Sequence, residues 1–192
     1  SLMMGAMLAY ALDRFQFRLR GLVTALFAMA VMIPSVTTQV SIFTLVKGLG
    51  IYNTIFAGIV LYTSTDITQI YVFRQFMSNI PKELDESGMV EGASLSTVFF
   101  KLIIPQLTPA FATVSIIKAL AIYNDILIPY LYMPKNSLNT VAQAIRLFVT
   151  DMGGKWPIVA AGVILILLPT LVIYLFAQRY IIAGISDGAV KG

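Results

Sequence analysis

Four carboxylates, on Glu83, Asp85, Glu86 and Glu91, fall within nine consecutive residues. An acidic cluster of this kind can ligate a hard cation, share a proton as a general acid–base pair, or carry charge at a helix start. Its neighbours favour the last use. Pro81 suits the first position of a helix, where its missing N–H is harmless, and the acids that follow load the first turns next to the positive end of the helix dipole. Gly88 and Gly92 weaken that helix. Ser94 is a suitable N-cap for a second helix, 95–104, which Pro105 follows. The segment reads as two short helices joined at a glycine bend, and no hydrophobic partner for it is evident elsewhere on the chain. Histidine and cysteine are both absent. That removes zinc sites, disulfides, thiol nucleophiles and imidazole acid–base chemistry.

A second set of polar residues interrupts apolar stretches: Asp66 behind Thr63, Ser64 and Thr65, then Lys118, and then Tyr123, Asn124 and Asp125. A charge at mid-bilayer costs roughly 2.5–3.5 kcal/mol even on the lenient insertion scale, so such groups face protein or water. Lys118 and Asp125 are seven residues apart on one helix face, about 10 Å along the axis. These residues either line a passage and its gate or hold helices together by hydrogen bonds worth about 0.6 kcal/mol each. Gly153-Gly154-Lys155 is followed by Trp156 and lacks the upstream glycine and the Ser/Thr of a nucleotide-binding loop. No catalytic constellation is visible.

The elements that must position these groups follow from composition. Of 192 residues, 58% are apolar and 11% charged, and mean hydropathy is +0.86. Soluble domains run nearer 45–50% apolar and about 25% charged. The chain has more apolar side chains than a globule of this size can bury, which excludes a soluble enzyme, a disordered tail and a nucleic-acid-binding domain. It predicts an all-α integral membrane protein in a lipid bilayer. Residues 22–46 contain no charge, and 25 residues make about 37 Å of helix, enough for a core of about 30 Å. Pro34 should kink that span. Residues 51–73, 107–130 and 158–178 read as three further spans, the last with Pro169 near its middle. Residues 3–12 are apolar but too short to cross and read as the tail of a truncated fifth span. The prediction is one polytopic transmembrane domain over 1–192, with 74–106 and 131–157 as its long connections.

Basic residues orient the bundle. Arg14, Arg18, Arg20, Arg74, Lys82, Lys101, Arg179 and Lys191 fall on one side if the spans alternate, and Lys47, Lys135, Arg146 and Lys155 on the other. The positive-inside rule puts the first group, the 74–106 loop and the C-terminus in the cytoplasm. In the outer 131–157 connection, Asn136 or Ser137 could cap a helix to about Phe148 whose Leu138, Val141, Ile145 and Phe148 make one apolar stripe.

At this point the residues resemble a known family. Glu86-Ser87-Gly88-Met89-Val90-Glu91-Gly92-Ala93, followed by Ile104-Pro105, resembles the EAA loop of ABC importer permeases, with Ser and Gly in place of two alanines and Glu in place of an aspartate. Tyr123-Asn124-Asp125 resembles the W-N-D stretch of the sugar-uptake branch, and Gln178-Arg179-Tyr180 with Gly188-Ala189-Val190-Lys191-Gly192 resembles that branch's closing Q-R-Y and G-A-V-K-G. The chain is thus similar to the shorter permease of the maltose-type carbohydrate importers, a type I permease core with six spans, of which roughly the first one and a half would be missing here.

The resemblance implies a prokaryotic inner-membrane, multi-pass subunit of a binding-protein-dependent sugar transporter. It implies as partners a second homologous permease, ABC ATPase subunits and an extracytoplasmic sugar-binding protein. ATP-Mg would bind in the ATPase partner, with no cofactor on this chain. Glu83, Asp85, Glu86, Ser87, Gly88, Glu91, Gly92 and Ala93 would couple to the ATPase, and Tyr123, Asn124, Asp125, Asp66 and Lys118 would line the pathway or gate. Three other readings stay open: an ion-coupled secondary transporter using Asp66, Lys118 and Asp125; a membrane scaffold that recruits a soluble partner; and an ABC permease for another solute, such as glycerol phosphate or a polyamine.

Overall fold

A computed structural model gives the structure of the chain and describes residues 1–144 and 156–189. Among these residues every regular element is helical. In chain order they are α1 (Leu2–Arg14), α2 (Arg20–Met32), α3 (Ser35–Gly48), α4 (Ile55–Thr63), α5 (Ile67–Met77) and α6 (Glu83–Val90). Next come α7 (Leu95–Gln106), α8 (Thr108–Asn124), α9 (Leu127–Tyr132) and, beyond a 3-10 turn at Asn136–Leu138, α10 (Trp156–Ala189). Among the described residues two helical stretches are long and apolar enough to cross a membrane, Ile55–Met77 (α4 and α5 together) and Trp156–Leu175, or up to four if each bent pair is one span.

Most of the predicted spans are broken by identifiable residues. The 22–46 stretch divides at Ile33 and Pro34 into α2 and α3, because proline offers no N–H to the preceding turn and its ring crowds it. The 51–73 stretch divides at Ser64–Asp66, where Asp66 caps α5 by accepting from the Gln69 backbone N–H at 3.0 Å. The 107–130 stretch divides at Asp125 and Ile126, where Asp125 Oδ1 accepts from the N–H groups of Leu127 (2.8 Å) and Ile128 (3.3 Å). By contrast, α10 runs through Pro169 without a break. The helix expected in the 131–157 connection begins at 141, where Thr140 Oγ1 accepts from the Gln143 N–H at 3.2 Å. Its predicted course through Ile145 to Phe148 lies outside the described residues, as do Arg146, Lys155 and Gly153-Gly154.

The chain forms two compact units that it visits alternately, passing between them at 32/33, 64/65, 116/117 and 177/178. In the first unit α1 lies against α5. Gly5, Ala6 and Ala9 make the contact face of α1, all buried, and a Cβ on Gly5 would sit 3.4 Å from Gln69 Cβ. Small residues on one helix let the neighbouring helix pack its side chains directly against that backbone, here Gln69 and Thr65 against Gly5, a common basis of close helix packing in lipid. Phe73 and Met77 of α5, Val98, Phe99 and Ile103 of α7, and Leu107 complete one apolar core. Within α7 the turn Val98–Ile103 is a π-helix. Pro105 cannot donate to the carbonyl four residues back, and a widened turn is the common accommodation. Leu107 then donates to both Ile103 and Ile104, and the chain bends by 72° into α8.

The second unit packs α9 against α3 and α4 around Val46, Ala57, Tyr132 and Met133. Tyr132 is 1% exposed and its hydroxyl bonds to the Gln39 side chain. Asn53, at φ +59, donates its backbone N–H to Tyr132 O at 2.8 Å, and its side chain accepts from the Lys135 N–H at 2.8 Å. The outer faces of α3, α4 and α10 carry exposed Val, Ile and Leu side chains, with Val40 77% and Leu165 67% exposed. Such faces are stable against lipid or another apolar subunit, not against water.

Candidate coupling site

The acidic segment folds as the sequence pattern predicts, with a different underside. The chain leaves α5 at Ser78, whose N–H bonds to Arg74 O at 3.0 Å. Pro81 precedes the helix, and α6 starts at Glu83 with three acids in its first turn. Its end is a paired-carbonyl stop: the Gly92 N–H bonds to Met89 O and the Ala93 N–H to Gly88 O, both at 3.0 Å. This arrangement needs a left-handed residue, and Gly92 supplies it at φ +85. Ser94 then caps α7, accepting from the Thr97 N–H at 3.3 Å.

The bent pair has an outward and an inward side. Glu83, Glu86, Ser87, Glu91 and Gly92 are exposed, Ala93 is half-buried, and Asp85 and Gly88 are buried. Interleaved with the acids is an apolar rim, Met89, Leu95 and above all Val90, which is 87% exposed. Inward, a Cβ on Gly88 would lie 2.8 Å from Leu102 Cδ1 and 3.1 Å from Val98 Cγ2, so α6 and α7 touch there because residue 88 has no side chain. Leu84 and Ala93 add to the first unit's apolar core. The expectation that this segment lacks a hydrophobic partner on its own chain is therefore corrected: its underside is seated on α1, α5 and the start of α8.

Asp85 faces inward with the apolar residues. Its Oδ1 accepts from the Tyr10 hydroxyl at 2.7 Å, and its Oδ2 is paired with Arg14 Nε at 3.1 Å. Arg14 Nη2 donates to Ile80 O at 2.7 Å, and Nη1 lies 3.3 Å from Asp13 Oδ2. A cleft of about 140 Å³ opens beside these groups, bordered by Phe15, Lys82, Glu86, Met89 and Leu95. Sequence reasoning missed Tyr10 and Arg14, which lie more than 65 residues from Asp85 in the chain. It also passed over the apolar rim, although Met89, Val90 and Leu95 stand out in an otherwise polar stretch.

The second group divides among local roles. In the second unit Asp125 accepts from the Tyr62 hydroxyl at 2.9 Å in addition to capping α9. Lys118 Nζ lies 3.4 Å from Ser64 O, and Asn124 Nδ2 bonds to Leu120 O at 2.9 Å. Tyr123 is half-buried. In the first unit Asp66 is exposed at the head of α5 and holds Gln69 through both backbone and side chain. Tyr62 is the residue that sequence reasoning missed; a hydroxyl in an apolar span was the available signal. Among the described residues no cluster of acidic side chains is arranged to hold a metal ion.

Comparison with known proteins places this geometry. Residues 1–186 match the family model described as binding-protein-dependent transport system inner membrane component. The melibiose/raffinose/stachyose import permease of Bacillus subtilis is 33% identical over 190 residues, covering 98% of this chain and 69% of that protein. The arabinooligosaccharide permease of Halalkalibacterium halodurans is 29% identical over 192 residues, covering 100% and 68%. The trehalose permease of Mycobacterium tuberculosis is 30% identical over 196 aligned positions, covering 100% and 71%. Each of these relatives is thus matched over about two thirds of its own length. A chain from the crystal structure of a bacterial ABC transporter that imports the acidic polysaccharide alginate shares the fold, with a TM-score of 0.74 at 20% identity over 93% of this chain and 68% of that one. The chain belongs to the binding-protein-dependent inner-membrane components and is an ABC transporter permease, a transport subunit rather than an enzyme.

Proposed function

We propose that this permease forms half of the passage for a sugar or oligosaccharide. In this reading α6 and α7 are the element an ATPase subunit grips, and the remaining half of the passage comes from a second, homologous permease. The observation that carries the docking role is the two-sidedness of the bent pair. A segment whose underside is fully seated on its own chain has its position dictated, yet Glu86 and Glu91 surround an unused apolar rim at Met89, Val90 and Leu95. Exposed apolar side chains ringed by charge are the composition of a protein-docking patch, not of a solvated loop. Glu83, Glu86, Ser87, Glu91 and Gly92 form the outward face, while Asp85, Gly88 and Ala93 hold it from beneath.

Substrate class rests on the relatives, which carry melibiose, arabinooligosaccharides and trehalose by name. Asp66, exposed in an apolar stretch, is expensive against lipid and is assigned to the water-filled passage or the second permease. Tyr123, Asn124, Asp125 and Lys118, in the second unit, are assigned a pathway or gate role of their own, with Tyr62 joining Asp125. An ion-coupled mechanism would need free carboxylates, whereas Asp66 and Asp125 both serve as helix caps. A sugar-binding protein would deliver substrate from outside, and ATP would be hydrolysed on the ATPase.

The test is a crosslink in the assembled transporter. A photoreactive group on a thiol at Glu86→Cys should capture the ATPase subunit, and Gly92→Val should lower the yield of ATPase co-purified with the permease. Capture of no ATPase from Glu86→Cys in intact, transporting complexes would end the docking assignment.

A further inference from the structure

The buried contact between α1 and α6 has a consequence for how movement leaves the docking face. It rests on the docking reading above and concerns what lies beneath that face. Asp85 turns both carboxylate oxygens toward α1, one to the Tyr10 hydroxyl at 2.7 Å and one to Arg14 Nε at 3.1 Å. The Arg14 and Asp85 side chains are only 6% and 8% exposed. The same guanidinium also holds Ile80 O at 2.7 Å, in the turn that delivers the chain to α6. One arginine therefore ties the last turn of α1 to both the approach and the first turn of α6.

Separating these groups would leave a buried carboxylate and a buried guanidinium without each other, which is the costly way to break an ion pair. The guanidinium also fixes direction, because it reaches two groups of the same segment at once, a hydrogen bond from Nη2 to Ile80 O and an ion pair from Nε to Asp85 Oδ2. On its other face α1 lies against α5 through Gly5, Ala6 and Ala9, with the buried Gln69 side chain packed against Gly5. By contrast, the route from α7 onward is interrupted by a π-turn and a 72° bend at Leu107, where the regular helical hydrogen-bond ladder is broken.

We propose that Tyr10 and Arg14 are positioning residues that lock α6 to α1 through Asp85, so that a push on the docking face is delivered first to α1 and α5. Tyr10–Arg14–Asp85 is the joint, and α1 is the output arm.

The experiment uses the complete transporter in vesicles and measures substrate transported per ATP hydrolysed, together with the amount of ATPase bound. Tyr10→Phe removes one hydroxyl, and Arg14→Lys keeps the charge but loses the fork. Both should bind the ATPase at the parental level while transport per ATP falls at least about fivefold, the lower end of ordinary coupling energies. The paired Arg14→Met with Asp85→Leu, which leaves no charge unpaired, controls for folding and should show the same loss of coupling in an assembled complex. An unchanged ratio in Tyr10→Phe and Arg14→Lys would overturn the proposal. So would poor assembly of the single variants combined with normal coupling in the paired one, since the groups would then serve folding alone. Failure of the docking reading is distinct: it appears as absent Glu86→Cys capture in the parental complex, whatever the coupling ratio.

Discussion

Gly88 shows how one missing side chain sets the spacing beneath the docking face. Alanine there gains about 1 kcal/mol of helix propensity, but its Cβ would meet Leu102 Cδ1 at 2.8 Å and Val98 Cγ2 at 3.1 Å. Leu102 can swing its tip aside, whereas Val98 is 0% exposed and stiff at its branched carbon. Gly88→Ala should therefore sit near neutral, and Gly88→Val should cost about 1–3 kcal/mol by overpacking. Thermal unfolding in detergent reads the difference: a lower Tm for the valine variant only. Equal Tm values for all three proteins would mean that the two helices do not touch at this position. The sequence marks Gly88 only as a helix breaker; its packing role follows from Val98 and Leu102, which belong to another helix. The same limit applies to the acids. Asp85 and Glu86 are adjacent and alike in the chain, yet one is buried under α6 and the other exposed. Nothing local separates them, because the partners that decide, Tyr10 and Arg14, come from α1.

At the scale of elements, proline and aspartate decide where helices stop. Pro34, Gly92 and the Ser94 cap were legible from the sequence because each acts through its own backbone or its nearest neighbours, whereas Pro105, expected to follow the helix 95–104, lies inside α7, which runs on to Gln106. The breaks at Asp66 and Asp125 were read instead as charges inside continuous spans. Periodicity and hydropathy do not distinguish an aspartate that interrupts a helix from one that starts the next. Their side chains settle it by accepting from backbone N–H groups two or three residues ahead. For α5 this yields a prediction. Asp66 also accepts from the Gln69 side chain at 3.1 Å, and Gln69 is buried against α1. Asp66→Ala should cost about 0.5–2 kcal/mol through loss of the cap, whereas Asp66→Asn keeps an oxygen acceptor and should recover most of it. Hydrogen exchange of the α5 amides is the direct measurement: the first turn should lose protection in the alanine variant and keep it in the asparagine one. Equal protection in both would show that the cap contributes nothing to the start of α5.

At the scale of the whole chain, the four passages between units and the placement of charge make one claim about topology. Among the described residues Arg14, Arg18, Arg20, Arg74, Lys82, Lys101 and Arg179 belong to the first unit, against Lys47, Lys118 and Lys135 in the second. Each of 22–46, 51–73, 107–130 and 158–178 contains one of the four passage points, so broken helices still run from one unit into the other. Seven basic residues against three is the kind of bias that, under the positive-inside rule, predicts a cytoplasmic place for the connections of the first unit. The absence of cysteine makes this directly measurable, because any thiol introduced is the only one on the chain. Leu49 and Asn136, both exposed in the second unit, and Glu91, exposed in the first, serve as reporters. In intact cells a membrane-impermeant maleimide should label Leu49→Cys and Asn136→Cys, and Glu91→Cys should react only in inverted vesicles. In the predicted topology the 51–73 span separates 49 from 91 and the 107–130 span separates 91 from 136. A shared side for Glu91→Cys and either reporter would remove that crossing, and with it the cytoplasmic position on which docking of an ATPase depends.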